Sequence, residues 1–274
     1  LGTAALVFGY KAKAAEDALH LVMLSDVHIP ADRQPGARGY NACEQLTRIV
    51  PDLVAAKPDG LVVAGDIAQL EGYKEDYAVF FELLKPVTDV MPAYIALGNH
   101  DDRENFFATA GELAGERQKV EKKHITVIEH PAIRFILLDS LMYTRKTGGF
   151  LGKAQREWLN AYLAEHTDRP VALMFHHTLG DGDNDLLDVE RLFKLLEPHK
   201  QVKVIFYGHS HRWDVAERQG IQTINLPTSA HIFDPKQPIG WVDAHFRKDG
   251  MKLTLHTIGG NTEQDGRVVD VAWT

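Results

Sequence analysis

Leu21-Val22-Met23-Leu24-Ser25-Asp26-Val27-His28 joins a short apolar run to a carboxylate and an imidazole two residues apart. The same design returns four times. Leu61-Val62-Val63-Ala64 runs into Gly65-Asp66, and Tyr94-Ile95-Ala96-Leu97 into Gly98-Asn99-His100-Asp101. Val171-Ala172-Leu173-Met174-Phe175 leads to His176-His177, and Val204-Ile205-Phe206-Tyr207 to Gly208-His209-Ser210-His211. Apolar runs of this kind read as strands buried on both faces, with the polar residue that follows emerging at the strand's carboxyl end. Five strand ends can then converge on one crevice, the usual place for a site in an open α/β sheet.

Working outward, a Pro- and Gly-rich loop from Pro30 to Gly39 precedes a helical pattern from Asn41 to Lys57, in which Leu46, Ile49, Val50, Leu53 and Val54 share one face. Pro51 is expected to kink or divide it. With a helix over about Lys74 to Leu84, the first half reads β-α-β-α-β, the pattern of parallel strands with right-handed crossovers. A helix from near Arg103 to near Gly115 follows, then a hairpin of Ile125–Glu129 and Ile133–Leu138 turning at His130-Pro131-Ala132. Helices at Lys153–Glu165 and Leu186–Leu196 flank the histidine-bearing strands. Strands at Thr223–Leu226, Trp241–Phe246 and Met251–Ile258 close the chain, the last two joined at Lys248-Asp249-Gly250, a strong hairpin signal.

The 274 residues are 45% hydrophobic and 25% charged, enough apolar surface for a sizeable core. The polar blocks span Asp26 to His211 with no linker-like break, so residues 18–274 read as one domain. No stretch reaches the roughly 18 apolar residues a membrane span needs. A net charge of −8 without a basic stripe speaks against a nucleic-acid surface. Cys43 is the single cysteine, which excludes an internal disulfide. Residues 1–17, apolar to Gly9 and then Ala12-Lys13-Ala14 before Glu16-Asp17, resemble the tail of an export signal with an A-x-A cleavage site. That makes an exported or periplasmic protein the expectation, against a cytoplasmic one whose chain begins in an ordinary helix.

Carboxylates, imidazoles and an amide oxygen, with no thiolate among them, suit Mn, Fe, Co or Zn. We expect Asp26, His28 and His211 on one metal ion, Asn99, His176 and His209 on a second, and Asp66 bridging them. Two such ions roughly 3.5–4 Å apart share a hydroxide that is nucleophilic near neutral pH, and they clamp phosphoryl oxygens during in-line displacement. Residues two apart in an extended segment project to one side, which would align Asp26 with His28 and His209 with His211. Gly65, Gly98 and Gly208 precede ligands where the backbone must turn or approach closely. His100 is placed to act as general acid or as a hydrogen-bond donor to phosphate, with Asp101 holding its ring. Its competing role is to orient the metal site.

Together these blocks resemble the D-x-H, GD, GNH[DE], H and GHxH pattern of the calcineurin-like metallophosphoesterase superfamily, over roughly residues 20 to 230. The resemblance implies an α/β fold, two mixed β-sheets in a sandwich flanked by α-helices, and a dinuclear centre of two divalent or trivalent ions. Gly98-Asn99-His100-Asp101-Asp102-Arg103 with the doubled His176-His177 is most similar to the cyclic-nucleotide and glycerophosphodiester phosphodiesterase branch. In that branch the first histidine of the pair is the ligand, which leaves His177, with Arg103, for the substrate side. The branch also implies a homodimer built on the late strands. Ser/Thr protein phosphatases carry GDxVDRG and GNHE, and purple acid phosphatases a metal-binding tyrosine where this chain has Gln69, so neither identity fits. Thr178-Leu179-Gly180 replaces the prolines usual after the histidine pair, which points to a different substrate loop.

The expected activity is hydrolysis of small phosphodiesters by a metal-bridged hydroxide. The alternatives are a phosphomonoesterase or pyrophosphate-cleaving hydrolase with the same centre, or a non-catalytic scaffold, which intact ligand positions disfavour. His20, His124, His130, His166, His199, His231, His245 and His256 lie outside the blocks and read as structural. Asp181, Asp183, Asp185 and Asp188 lack the glycine and glutamate of a calcium loop, so Asp185 is expected to cap the next helix, with Asp188 in its first turn. Phe150, Trp213 and Phe233 are candidates to line a pocket.

Overall fold

The computed structural model describes residues 18–111 and 113–273. The segment read as an export signal therefore lies outside the described residues. In chain order the first part comprises β1 (Ala18–Leu24), α1 (Ala42–Ala55), β2 (Gly60–Ala64), α2 (Lys74–Thr88), β3 (Ala93–Ala96) and α3 (Arg103–Ala110). The second comprises β4 (Glu116–Gln118), β5 (Ile125–Glu129), β6 (Arg134–Leu137), α4 (Lys153–Glu165), β7 (Val171–Met174), α5 (Val189–Leu196), β8 (Val202–Tyr207), β9 (Asp214–Arg218) and β10 (Ile221–Asn225). The chain closes with β11 (Pro238–Arg247), β12 (Gly250–Gly260) and β13 (Val268–Ala272).

These strands form two mixed sheets, ordered β13-β12-β11-β1-β2-β3 and β4-β5-β6-β7-β8-β10-β9. β1, β2 and β3 are parallel, and β11 returns antiparallel beside β1. In the other sheet β6, β7, β8 and β10 are parallel. The sheets face each other through Leu21, Met23, Phe135, Phe206, Val242 and Phe246. The outer face of the first sheet is covered by α1 and α2 through Leu46, Leu53, Phe80 and Leu84. α4 and α5 cover the second sheet through Leu159, Leu163, Leu192 and Phe193. Strands buried on both faces explain the continuous apolar runs.

Some boundaries differ from the sequence reading. α1 runs unbroken through Pro51, because Leu46, Ile49, Val50 and Leu53 are buried against the sheet and tertiary packing outweighs the hydrogen bond that proline cannot make. α3 stops at Gly111, whose φ of 64° no continuing helix adopts. Asp185 does not cap α5. Its carboxylate accepts from Gly182 N at 2.9 Å and from the Thr178 hydroxyl, folding the acidic loop on itself. Asp188 instead reaches the start of α4, accepting from Leu151 N and Gly152 N at 3.0 Å each. The edge strands β4 and β9, exposed along much of their length, carry no apolar run for a sequence reading to find, and the sequence reading does not include β13, Val268–Ala272.

Candidate metal centre

The carboxyl ends of the central strands of both sheets meet at one place. Asp26 and His28 follow β1, Asp66 follows β2, Asn99 follows β3, His176 follows β7, and His209 and His211 follow β8. Main-chain bonds lock the loops together, Asp26 N donating to Gly65 O at 3.1 Å, His28 N to Asp66 O at 2.9 Å and Gly208 N to His176 O at 2.9 Å. Across the two sheets, His209 N donates to the Asp26 carboxylate at 3.1 Å.

The side-by-side placement of Asp26 with His28, and of His209 with His211, does not come from an extended strand. Asp26, His28, Asp66, His209 and His211 have φ between 49° and 70°, the left-handed region that costs a non-glycine residue of order 1–3 kcal/mol. The strain turns each side chain inward after its strand has ended. Close packing adds a second constraint, since a Cβ at Gly98 would collide with the Asp66 carboxylate and one at Gly208 with Ser25 Oγ.

The donor atoms converge. Asp66 Oδ2 lies 3.2 Å from His176 Nε2, 3.7 Å from His28 Nε2 and 3.9 Å from His100 Nε2. Asp26 Oδ1 lies 3.3 Å from His211 Nε2 and 3.9 Å from His176 Nε2. Asp66 belongs both to a cluster with His176 and His209 and to one with His28 and His100, as a residue shared by two ions would. A further cluster joins His28, His211 and His231.

These residues fit metal ions on the structure's own terms. His176 Nδ1 sits 2.8 Å from Ala64 O, His211 Nδ1 2.6 Å from His231 O and His28 Nδ1 3.3 Å from Gln69 O. Each carbonyl accepts the Nδ1 proton and leaves the Nε2 lone pair facing inward, the arrangement that orients a ligating imidazole. Asn99 Oδ1 is buried with no hydrogen-bond donor, a cost a cation would remove. Burial alone would raise Asp26 and Asp66, yet the surrounding histidines hold both below the ordinary carboxylate range. Burial likewise works against a charged His176, but the Asp66 and Asp26 carboxylates outweigh it and raise that ring to about 9. His28 falls to about 3, chiefly through burial.

Three expected roles change. Asp101 does not hold His100. Its buried carboxylate accepts from Gly98 N at 2.8 Å, Ile67 N and Ala68 N at 3.1 Å and Tyr77 Oη at 3.2 Å, tying the loop after β2 to the loop after β3. The His100 ring rests on Leu70 O, 3.1 Å from Nδ1. Arg103 does not reach the centre, because its guanidinium forms a two-pronged pair with Asp139 at 2.7 Å and a bond to Leu141 O. His177 is fully buried behind the centre, bonded to Ser140 Oγ at 2.7 Å and packed edge-on to His176, so no substrate reaches it.

A cavity of about 560 Å³ opens over the cluster, lined among others by His28, Asp66, Asn99, His100, His209 and His211. Tyr40, Leu70, His231 and Phe233 also face it, whereas Phe150 and Trp213 do not. Sequence reasoning set His231 aside as structural. Its ring lies 4.4 Å from that of His211 and 5.1 Å from that of His28. Thr228 Oγ1 and Ser229 N tether its loop to Asp26 O and Ser25 O. No motif marks it, since only this loop packing carries it to the centre.

The fold and a two-cluster site of hard-to-borderline donors define a metal-dependent phosphoesterase. The chain belongs to the calcineurin-like phosphoesterase family, which matches residues 19–213. It is 33% identical over 264 residues to the "Probable glycerophosphodiester phosphodiesterase GpdQ" of Arcobacter nitrofigilis, covering 86% of this chain and 92% of that one. It is 26% identical over 255 residues to the 3',5'-cyclic adenosine monophosphate phosphodiesterase CpdA of Haemophilus influenzae, covering 87% and 89%. In fold it is similar to a dimetal phosphatase from Danio rerio, with a TM-score of 0.72 at 15% identity over 94% of this chain and all of that one.

Proposed function

We propose that this chain hydrolyses small phosphodiesters. The observation that carries the reading is a shared Asp66 between two clusters of buried and half-buried donors at the floor of a cavity, with His100 on the cavity side. Asp26, His28 and His211 would hold one ion, Asn99, His176 and His209 the other, and Asp66 both. When bound, such a pair supplies Lewis acidity at the phosphoryl group and acidifies water. The chain's own contributions surround it. Asp66 Oδ1 accepts from His100 N at 2.8 Å, which fixes the backbone of the proposed acid beside the shared carboxylate. Leu70 O anchors His100 Nδ1, so Nε2 points toward the centre, and a protonated His100 delivers its proton to the leaving oxygen. His231, Phe233 and Tyr40 give the organic part of the ester a largely aromatic wall.

The preference for diesters is supported by relatives named as phosphodiesterases. The −8 net charge favours a small ester over a nucleic acid. A homodimer through the late strands, with β13 at the sheet edge, is part of the same reading and is checked by light scattering. The test is hydrolysis of bis(p-nitrophenyl) phosphate against p-nitrophenyl phosphate by manganese-loaded protein, with Asn99→Ala as control. A diester preference abolished in the control is expected. Monoester preference would move the assignment to a phosphomonoesterase.

A further inference from the structure

A second group of metal-ligating side chains sits at the opposite end of the first sheet. His20 on β1 pairs directly across from His245 on β11, and Asp243 lies two residues along β11 on the same face. The strand from His20 to Leu24 alone, about 13 Å at the ordinary rise of a strand, lies between this group and the loop that carries Asp26, so the group is separate from the centre described above.

The three side chains meet at one point. His20 Nε2 and His245 Nε2 each lie 3.0 Å from the same oxygen, Asp243 Oδ1. The two rings stack with centroids 4.0 Å apart and planes 17° apart. All three donor atoms fall within 4.8 Å of one another. Tetrahedral zinc with bonds of about 2.0–2.1 Å spaces its ligand atoms about 3.3 Å apart, close to the separations observed here. The side chains of His20 and Asp243 are 19% and 17% exposed and that of His245 46%, so the group is accessible from outside.

We propose that His20, Asp243 and His245 form a third metal site, which takes a borderline transition-metal dication such as Zn²⁺ with water completing the coordination. Two imidazoles and one carboxylate are a nitrogen-rich donor set that favours zinc over magnesium or calcium. Burial, reinforced by His20, keeps His245 below its ordinary value, and a neutral ring is the form that ligates. Lys252, opposite His245 on β12, works against a cation, whereas the Asp59 carboxylate, bonded to His20 N at 2.9 Å, works for it. The plain alternative is a carboxylate hydrogen-bonded to His20 and ion-paired with His245, with no metal ion. Only His20 Nε2 is hydrogen-bonded to that oxygen, and binding an ion requires the two stacked rings to turn out of their near-parallel planes so that both Nε2 lone pairs converge. An ion here would staple β1 to β11, strands more than 200 residues apart in sequence, and stabilise the fold by mass action.

The test is zinc content after equilibrium dialysis at low micromolar free zinc, measured by elemental analysis on wild type, Asp243→Asn and His245→Ala. The wild type is expected to retain one more zinc per chain than either variant. Zinc should raise the wild-type melting temperature by more than it raises theirs, while manganese-dependent hydrolysis stays unchanged. Two variants are read so that misfolding of one, seen by circular dichroism, leaves the other decisive. Equal zinc content in wild type and a folded variant would overturn the proposal.

Discussion

The Nε2 atoms of His28 and His211 face each other at 3.1 Å while both Nδ1 atoms lie against main-chain carbonyls. With each Nδ1 proton donated outward, two lone pairs point at one another, an arrangement that repels unless a proton or a cation lies between. Chelation should therefore destabilise the protein as well as silence it. The melting temperature is expected to fall on dialysis against a strong chelator and to recover with manganese. Ligand at 100 times its dissociation constant is worth about 2.7 kcal/mol. An unchanged melting temperature in calorimetry would show that the fold does not depend on the ions.

His100→Gln separates the general acid from a residue that only orients the site. Loss of a proton donor should lower kcat by roughly 10²–10⁴ for esters with an alkyl leaving group. For p-nitrophenyl esters, whose leaving group needs no proton, the loss should be far smaller. Equal losses on both would assign His100 to holding the centre.

Arg103→Met addresses structure. Asp139, 1% exposed, loses the guanidinium, although His124 N at 2.8 Å and Leu141 N at 3.0 Å still donate to it. Breaking such a pair should cost roughly 2–4 kcal/mol in urea denaturation, with KM for a diester held within about twofold. A large rise in KM at unchanged stability would return Arg103 to the substrate.

His124 gives a pH dependence of stability away from the metal centre. It is buried, with Nε2 3.1 Å from Ile95 O, and burial lowers its pKa from 6.5 to about 4. Between those values the unfolded chain binds the proton and the folded chain does not, so stability rises with pH across this window and is lost as pH falls through it. The full difference is roughly 3 kcal/mol. His124→Gln should remove that slope, so the stability gap between wild type and variant narrows from pH 7 toward pH 4 in denaturation series.

Much of the architecture was legible because both sheets are covered on two faces. A strand such as Val62–Ala64 or Val204–Phe206 must then be apolar throughout, and the polar block that follows it marks where the strand ends. That one rule locates Asp26, Asp66, Asn99, His176 and His209 at a common edge. Exposed edge strands such as β9 obey no such rule, and their pairing with β10 shows only in the assembled sheet.

The sequence by itself determined the inventory of the centre and the strand ends that carry it, because apolar runs and donor types are local properties. Tertiary structure decided what each side chain does there. Left-handed backbone at Asp26 and His211 aims their donors inward, and Asp101 is held by four hydrogen-bond donors, from its own loop, the loop after β2 and Tyr77 on α2. Arg103 is drawn to Asp139, 36 residues away, and His231 arrives on a loop tethered to Ser25 and Asp26, about 200 residues earlier in the chain. The physical reason is that a side chain's role is fixed by which partners desolvate and bond it. Those partners come from segments remote in sequence that only the closed sandwich brings together.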